Sequence, residues 1–257
     1  MNNRVEHAFH GNKAFIPFLT CGDPDCSLTR DLVLAMAESG ADIIELGLPF
    51  SDPIAEGPVI QQADMRALQA GFKLKHFFPL VEQIRTYSDI PLVCMTYLNP
   101  VYHYGKDRFL ADAHAVGLYG IIIPDLPYEE CGEIEQACTE QDIVRISMIA
   151  PTSKKRITEV ALSSKGFLYC VSSMGVTGMR TSLDDTAREM VQHAKGVSST
   201  PCAVGFGIHT EEQAHTIAEF ADGVIVGSAI VNLIAKHGYQ SAAPVAAYVR
   251  AMKRAIS

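Results

Sequence analysis

No run of about eighteen apolar residues occurs in this 257-residue chain, so a membrane-crossing helix is not expected. The opening stretch MNNRVEHAFHGNKAF also lacks an apolar core of signal-peptide length, and the expectation is a cytoplasmic protein. Basic charge is scarce too. With 21 Lys and Arg against 29 Asp and Glu the net charge is -8, which argues against nucleic acid or an anionic membrane as the main partner. The local basic pieces Lys154-Lys155-Arg156 and Lys253-Arg254 read as solvated helix faces. The seven cysteines contain no CxxC and are odd in number, so neither a disulfide framework nor a zinc cluster is indicated. Nine histidines are scattered without HExxH or a comparable spacing, and no metal site is expected.

What the chain does have is 48% hydrophobic residues arranged in repeats. Eight short apolar runs recur: AFIPFLTCG, DIIELGLPF, PLVCMTYLN, GIIIPDLP, IVRISMIAP, GFLYCVSS, CAVGFGI and GVIVGSAI. Between them lie segments such as SLTRDLVLAMAESG, KDRFLADAHAVG, SKKRITEVALSSK and TEEQAHTIAEFA, with apolar residues spaced by three and four. Many open on Ser, Thr or Asp and several close on Gly, which are helix start and stop signals. Continuous apolar strands alternating with helices mean parallel strands covered by helices. Eight units at this length predict an α/β fold of the (β/α)8 TIM-barrel type, a single domain over residues 1–257 with an N-terminal helical segment. A doubly wound open sheet is the competing architecture.

Barrel sites lie at the C-terminal ends of the strands and in the loops that follow. That rule selects Glu45 in the C-terminal half of the second run, Glu56 in the loop after it, Tyr97 and Asn99 ending the third, Asp125 ending the fourth, and Tyr169 in the sixth. Glu45 stands between Ile44 and Leu46, and no cation in its segment is an obvious partner. A buried carboxylate without a partner is costly unless its pKa rises, which points to a catalytic acid or base. Near the end of the chain, GFGI and VGSAIVNLIAKHG bring glycines and a helix start near Ser228 into successive units, a phosphate-binding pattern. The same glycines also suit plain close packing of helix on strand. Ser172–Asp185, long and holding two glycines, is a candidate lid or an ordinary surface loop.

FIPFLTCGDP, ELGLPFSDPIAEGPVIQ, MTYLNP, IIIPDLP, SSMGVTG, GFGI and GSAIV follow the order and approximate spacing of the tryptophan synthase alpha subunit, which the chain resembles over nearly its entire length. The resemblance implies a lyase of tryptophan biosynthesis that cleaves indole-3-glycerol phosphate to indole and glyceraldehyde 3-phosphate. Glu45 matches the general acid/base, and Glu56 matches the group at the indole nitrogen, where the family usually has aspartate. Here AEGP keeps the carboxylate and lengthens its arm by one methylene, so restoring aspartate is expected to preserve or raise activity.

Gly178, Gly207, Gly227 and Ser228 match the phosphate-binding positions. Phe18, Tyr97, Ile149, Tyr169 and Phe206 match the indole pocket, and Thr177 matches the lid residue that meets the loop carboxylate. The resemblance also implies a beta subunit that carries PLP and receives the indole, in an alpha2beta2 complex, with Asp52, Pro53, Asn99 and Pro100 facing it. No cofactor is implied in this chain. A stand-alone lyase that releases free indole and a non-catalytic barrel acting as a regulatory partner are the alternatives. The lack of tryptophan suits an enzyme of tryptophan supply and carries no weight by itself.

Overall fold

A computed structural model of the chain describes residues 4–171, 183–205 and 207–257. After the single-turn helix α1 (Arg4–His7), strands and helices alternate: β1 (Ala14–Thr20), α2 (Cys26–Glu38), β2 (Ile44–Gly47), α3 (Pro58–Gln69), α4 (Phe77–Arg85) and β3 (Leu92–Met95). The chain continues through α5 (Leu98–Tyr104), α6 (Lys106–Ala115), β4 (Gly120–Ile122), α7 (Gly132–Glu140), β5 (Val144–Arg145) and β6 (Ser147–Ile149). It ends with α8 (Lys154–Ser163), β7 (Leu168–Val171), α9 (Leu183–Val197), β8 (Cys202–Gly205), α10 (Glu211–Ala218), β9 (Gly223–Val226), α11 (Ser228–His237) and α12 (Ala242–Ile256).

The strands are parallel, in the order β5-β4-β3-β2-β1-β9-β8-β7-β6. The two ends of that order, β5 and β6, are one stave interrupted only at Ile146, whose N–H still reaches Ile121 O at 2.9 Å. One edge of the sheet therefore continues into the other. The result is a closed eight-stave barrel, and the doubly wound alternative is set aside. Each of the eight apolar runs in the sequence holds one stave. No helix among the described residues is long and apolar enough to cross a membrane.

Alternation along each strand sorts the core into two layers. Phe15, Leu19, Ile44, Leu46, Leu92, Cys94, Leu168, Cys170 and Val204 pack outward under the helices. Ala14, Ile16, Phe18, Val93, Met95, Ile122, Phe167, Ala203 and Ile225 fill the barrel interior. Glu45, between outward-facing Ile44 and Leu46, is thereby aimed inward.

Local signals start the helices. Asp25 accepts from Leu28 N–H (2.8 Å) at α2, Ser153 caps α8, and Thr210 with Gln213 makes a capping box at α10. Below the barrel, Asp42 accepts from Phe15 N–H (2.7 Å) and from Lys253 Nζ (2.8 Å), which ties the first two strands to α12.

Two strand ends differ from the sequence expectation. The third strand stops at Met95, so Tyr97 is the N-cap residue of α5 and Asn99 lies within that helix. The fourth stops at Ile122, leaving Asp125 in the following loop. The reason is one contact: Asp125 accepts from Leu98 N–H at 2.9 Å, satisfying a free donor at the start of α5 and turning the chain into a helix.

Candidate active site

Glu45 pairs in register with Phe18 on β1 and Val93 on β3. It is the second of four strand residues, deeper than the C-terminal half expected from the sequence, and only 1% exposed. Neither carboxyl oxygen has a hydrogen-bond partner among the described residues. Burial, and secondarily the charge of Glu56, push its pKa up from 4.5 to about 8. At neutral pH the group is a carboxylic acid, able to give a proton and then take one back. Tyr169 on β7 lies within the reach of its field, and burial followed by the Glu45 charge holds that phenol well above its ordinary value.

Above Glu45 the loop from Leu48 to Gly57 carries Glu56 to the start of α3, where Pro58 takes the first helical position. Tyr97 fixes this loop from the other side. Its hydroxyl accepts from Ala55 N–H (3.2 Å) and donates to Glu56 Oε1 (3.3 Å), while Phe50 stacks on its ring with centroids 5.0 Å apart. Gln61 Nε2 donates to the Glu56 carbonyl at 2.8 Å. The Glu56 carboxyl meets that of Asp64, which is 2% exposed on α3, and Glu56 Oε2 and Asp64 Oδ2 are both buried without a hydrogen-bond partner among the described residues. Burial raises both pKa values; contact with Glu56 adds to the rise at Asp64, which reaches about 9. Thr20 Oγ1 donates to Asp64 Oδ1 at 3.4 Å.

On the other side of β1, β9 and β8 run side by side, so the turns after them are neighbours at the same barrel end. Gly207 has φ +80° and open space where a Cβ would stand. Gly227 is the N-cap of α11 without a side-chain cap, and the hydrogen-bonded turn begins only with Val231 N–H to Gly227 O (3.0 Å). The preceding N–H groups at Ser228, Ala229 and Ile230 form the open helix N-terminus, which suits an anion. A Cβ at Gly227 would lie 3.2 Å from Phe18 Cδ1 and 3.5 Å from Ile60 Cδ1, so this open helix end adjoins the apolar wall.

Phe18 and Tyr169 belong to the interior cluster. Ile149 does not. It packs in the layer between strands and helices, and its neighbour Met148 faces the interior, because a shift of one residue along a strand exchanges the faces. Thr177, Gly178, Phe206 and all but the last residues of Ser172–Asp185 lie outside the described residues. Asp52 and Asn99 are exposed, Pro53 and Pro100 are half-buried, and Ile54, next to Pro53 in the chain, is an apolar side chain 77% exposed.

Asp64, Thr20, Phe50 and Met148 escaped the sequence reading. For Asp64 a signal existed: an acid sits on the same buried stripe of α3 as Ala63 and Ala67.

A family model described as tryptophan synthase alpha chain matches residues 6–257. The tryptophan synthase alpha chain of Lacticaseibacillus casei is 45% identical over 99% of this chain and 96% of its own length. The structure of tryptophan synthase subunit alpha from Legionella pneumophila str. Paris superposes with a TM-score of 0.91 at 35% identity, covering 100% of this chain and 99% of that one. A chain of the tryptophan synthase a2b2 complex from the hyperthermophile Pyrococcus furiosus gives 0.87 at 40% identity, covering 94% and 98%.

Proposed function

The chain belongs to the tryptophan synthase alpha chain family, and from that premise we propose how its own residues cleave indole-3-glycerol phosphate to indole and glyceraldehyde 3-phosphate. The substrate phosphate binds at Gly207, Gly227 and Ser228 with Gly178, and the indole lies against Phe18, Tyr97 and Tyr169 with Phe206. Met148, packed against the same interior cluster, completes that wall. Thr177 meets Glu56 when the lid closes.

Glu45 gives its proton to indole C3, and the N1–H hydrogen-bonds to the Glu56 carboxylate, which stabilises the positive charge that forms on the ring. The bond between C3 and the side-chain carbon then breaks, and its electron pair restores the indole. Glu45 takes the proton of the side-chain hydroxyl as that oxygen becomes the aldehyde carbonyl, and so ends the cycle as it began, protonated. No cofactor of this chain enters any step.

Residues 1–257 work as one barrel domain in the cytoplasm, joined to a PLP-bearing beta subunit in an alpha2beta2 complex. Loop residues Asp52 and Pro53 and the helix start at Asn99 and Pro100 face that partner, which receives the indole.

The observation that carries this reading is a neutral, unpartnered carboxyl inside the barrel at Glu45, near an open helix N-terminus. The test is indole release from indole-3-glycerol phosphate by the purified chain, with and without a beta subunit. Slow release that rises with the partner is expected. No release in either condition, with partner binding intact, would leave the non-catalytic alternative.

A further inference from the structure

Asp64 has no role in the sequence pattern, yet it is among the most deeply placed acids of the site. It lies on the buried face of α3 with one oxygen, Oδ2, lacking any conventional donor, and its contact is another carboxyl whose Oε2 is equally without one. Two carboxylates in contact and out of water cannot both be ionised, whereas a single proton between them turns the contact into a hydrogen bond. No cation intervenes among the described groups. Arg66, on the same helix, is committed to Asp23 by two bonds of 2.9 and 2.7 Å. On α11, which packs on α3, Lys236 and His237 stand in the last turn. The groups that act on Asp64 are Glu56, Thr20 and the Phe50 N–H, and its charge is felt in turn by Tyr97 and Cys21. Glu45 lies beyond Glu56 and feels that group's charge. Nor is this a metal cluster: no group of three or more His, Cys, Asp or Glu among the described residues is arranged to hold one.

We propose that Asp64 is a positioning residue for the lyase reaction: it shares one proton with Glu56, keeps that proton on its own carboxyl, and thereby holds Glu56 as a carboxylate for the indole nitrogen. This rests on the functional reading above. The proton resides on Asp64 because Asp64 is the more buried of the two, while Glu56 already receives the Tyr97 hydroxyl at 3.3 Å. Asp64 O–H then supplies a donor to the second oxygen. The contact lowers the pKa of Glu56 and raises that of Asp64. The extra methylene of Glu56 acquires a purpose in this arrangement: it spans from the loop to the buried face of α3.

The experiment combines infrared spectroscopy of protonated carboxyl groups with pH-dependent turnover, on the full chain alone and with a beta subunit, for wild type, Asp64→Asn and Asp64→Ala. At pH 7 the wild type should show, beside the band of neutral Glu45, a second protonated-carboxyl band that is missing from both variants and that fades as the pH passes about 9. Asp64→Ala should lower kcat about tenfold, with KM moved far less, and shift the acid limb of the profile to higher pH because Glu56 has lost the donor that favours its charge. Asp64→Asn, whose amide still donates, should recover most of the loss. Persistence of that second band in Asp64→Asn, or a wild-type acid limb in Asp64→Ala, overturns the shared proton. If the band behaves as expected but the wild type releases no indole, the functional reading fails and the shared proton stands.

Discussion

Replacing Glu45 with Gln removes the ionisable group from the barrel interior while keeping its shape, and the structure gives the consequence for stability a sign and a size. In the folded chain this carboxyl ionises near pH 8 against 4.5 for an unburied one. A raised folded pKa means that stability is complete below pH 4.5 and is lost as the pH rises toward 8, since over that interval the unfolded chain gives up the proton and the folded chain does not. The cost to the native state is about 1.4 kcal/mol for each pH step, hence roughly 3 kcal/mol at pH 7, about 5 kcal/mol at pH 9 and nearly nothing at pH 4. Gln carries no such cost. Glu45→Gln should therefore be more stable than wild type at neutral and alkaline pH, by about 6–12 °C in Tm at pH 7, and equal to it at pH 4. Turnover should fall by at least about 100-fold. Urea or thermal unfolding across pH 4–9, with indole release measured on the same samples, checks both. A stability difference that does not change with pH would mean that Glu45 is solvated or already ionised, and retained turnover would remove it from the mechanism.

The same ionisation should set the alkaline limb of wild-type kcat near pH 8, where Glu45 loses the proton it must give to C3, read from a pH profile at saturating substrate. Gly227→Ala places a methyl 3.2 Å from Phe18 Cδ1 beside the open end of α11 and should raise KM more than it lowers kcat, with inorganic phosphate inhibiting less strongly. Gly47→Ala would bring a Cβ within 2.5 Å of Phe18 Cζ, and urea melts should show a loss of about 1–3 kcal/mol from the forced displacement of that ring. Glu56→Asp, expected from the sequence to preserve or raise activity, should instead lose kcat several-fold, because the shorter arm cannot keep both the Tyr97 and Asp64 contacts. A gain in kcat would show that those contacts do not matter.

The barrel was legible in the sequence because its determinants are local and repeated. Each stave is an apolar run, and several of the helices open on a side chain such as Asp25, Ser153 or Thr210 that satisfies a free N–H within a few residues. Glu45 was legible for a related reason: alternation between Ile44 and Leu46 leaves one inward direction for it, and a carboxylate there has no local partner. The glycines at 207 and 227 stood out in the sequence as backbone positions, and the structure gives Gly207 a positive φ and places Gly227 at the uncapped start of α11. What only the tertiary structure decided depends on docking between distant segments. The face of α3 that carries Asp64 meets Glu56 only once the helix lies on the barrel, and Phe50 finds Tyr97 only through the third strand's early end. The interior place of Met148 rather than Ile149 turns on a single-residue register, which nothing in the run IVRISMIAP distinguishes until neighbouring strands pair with it. Sequence period specifies elements; the distances at which two buried acids must share a proton exist only after those elements pack.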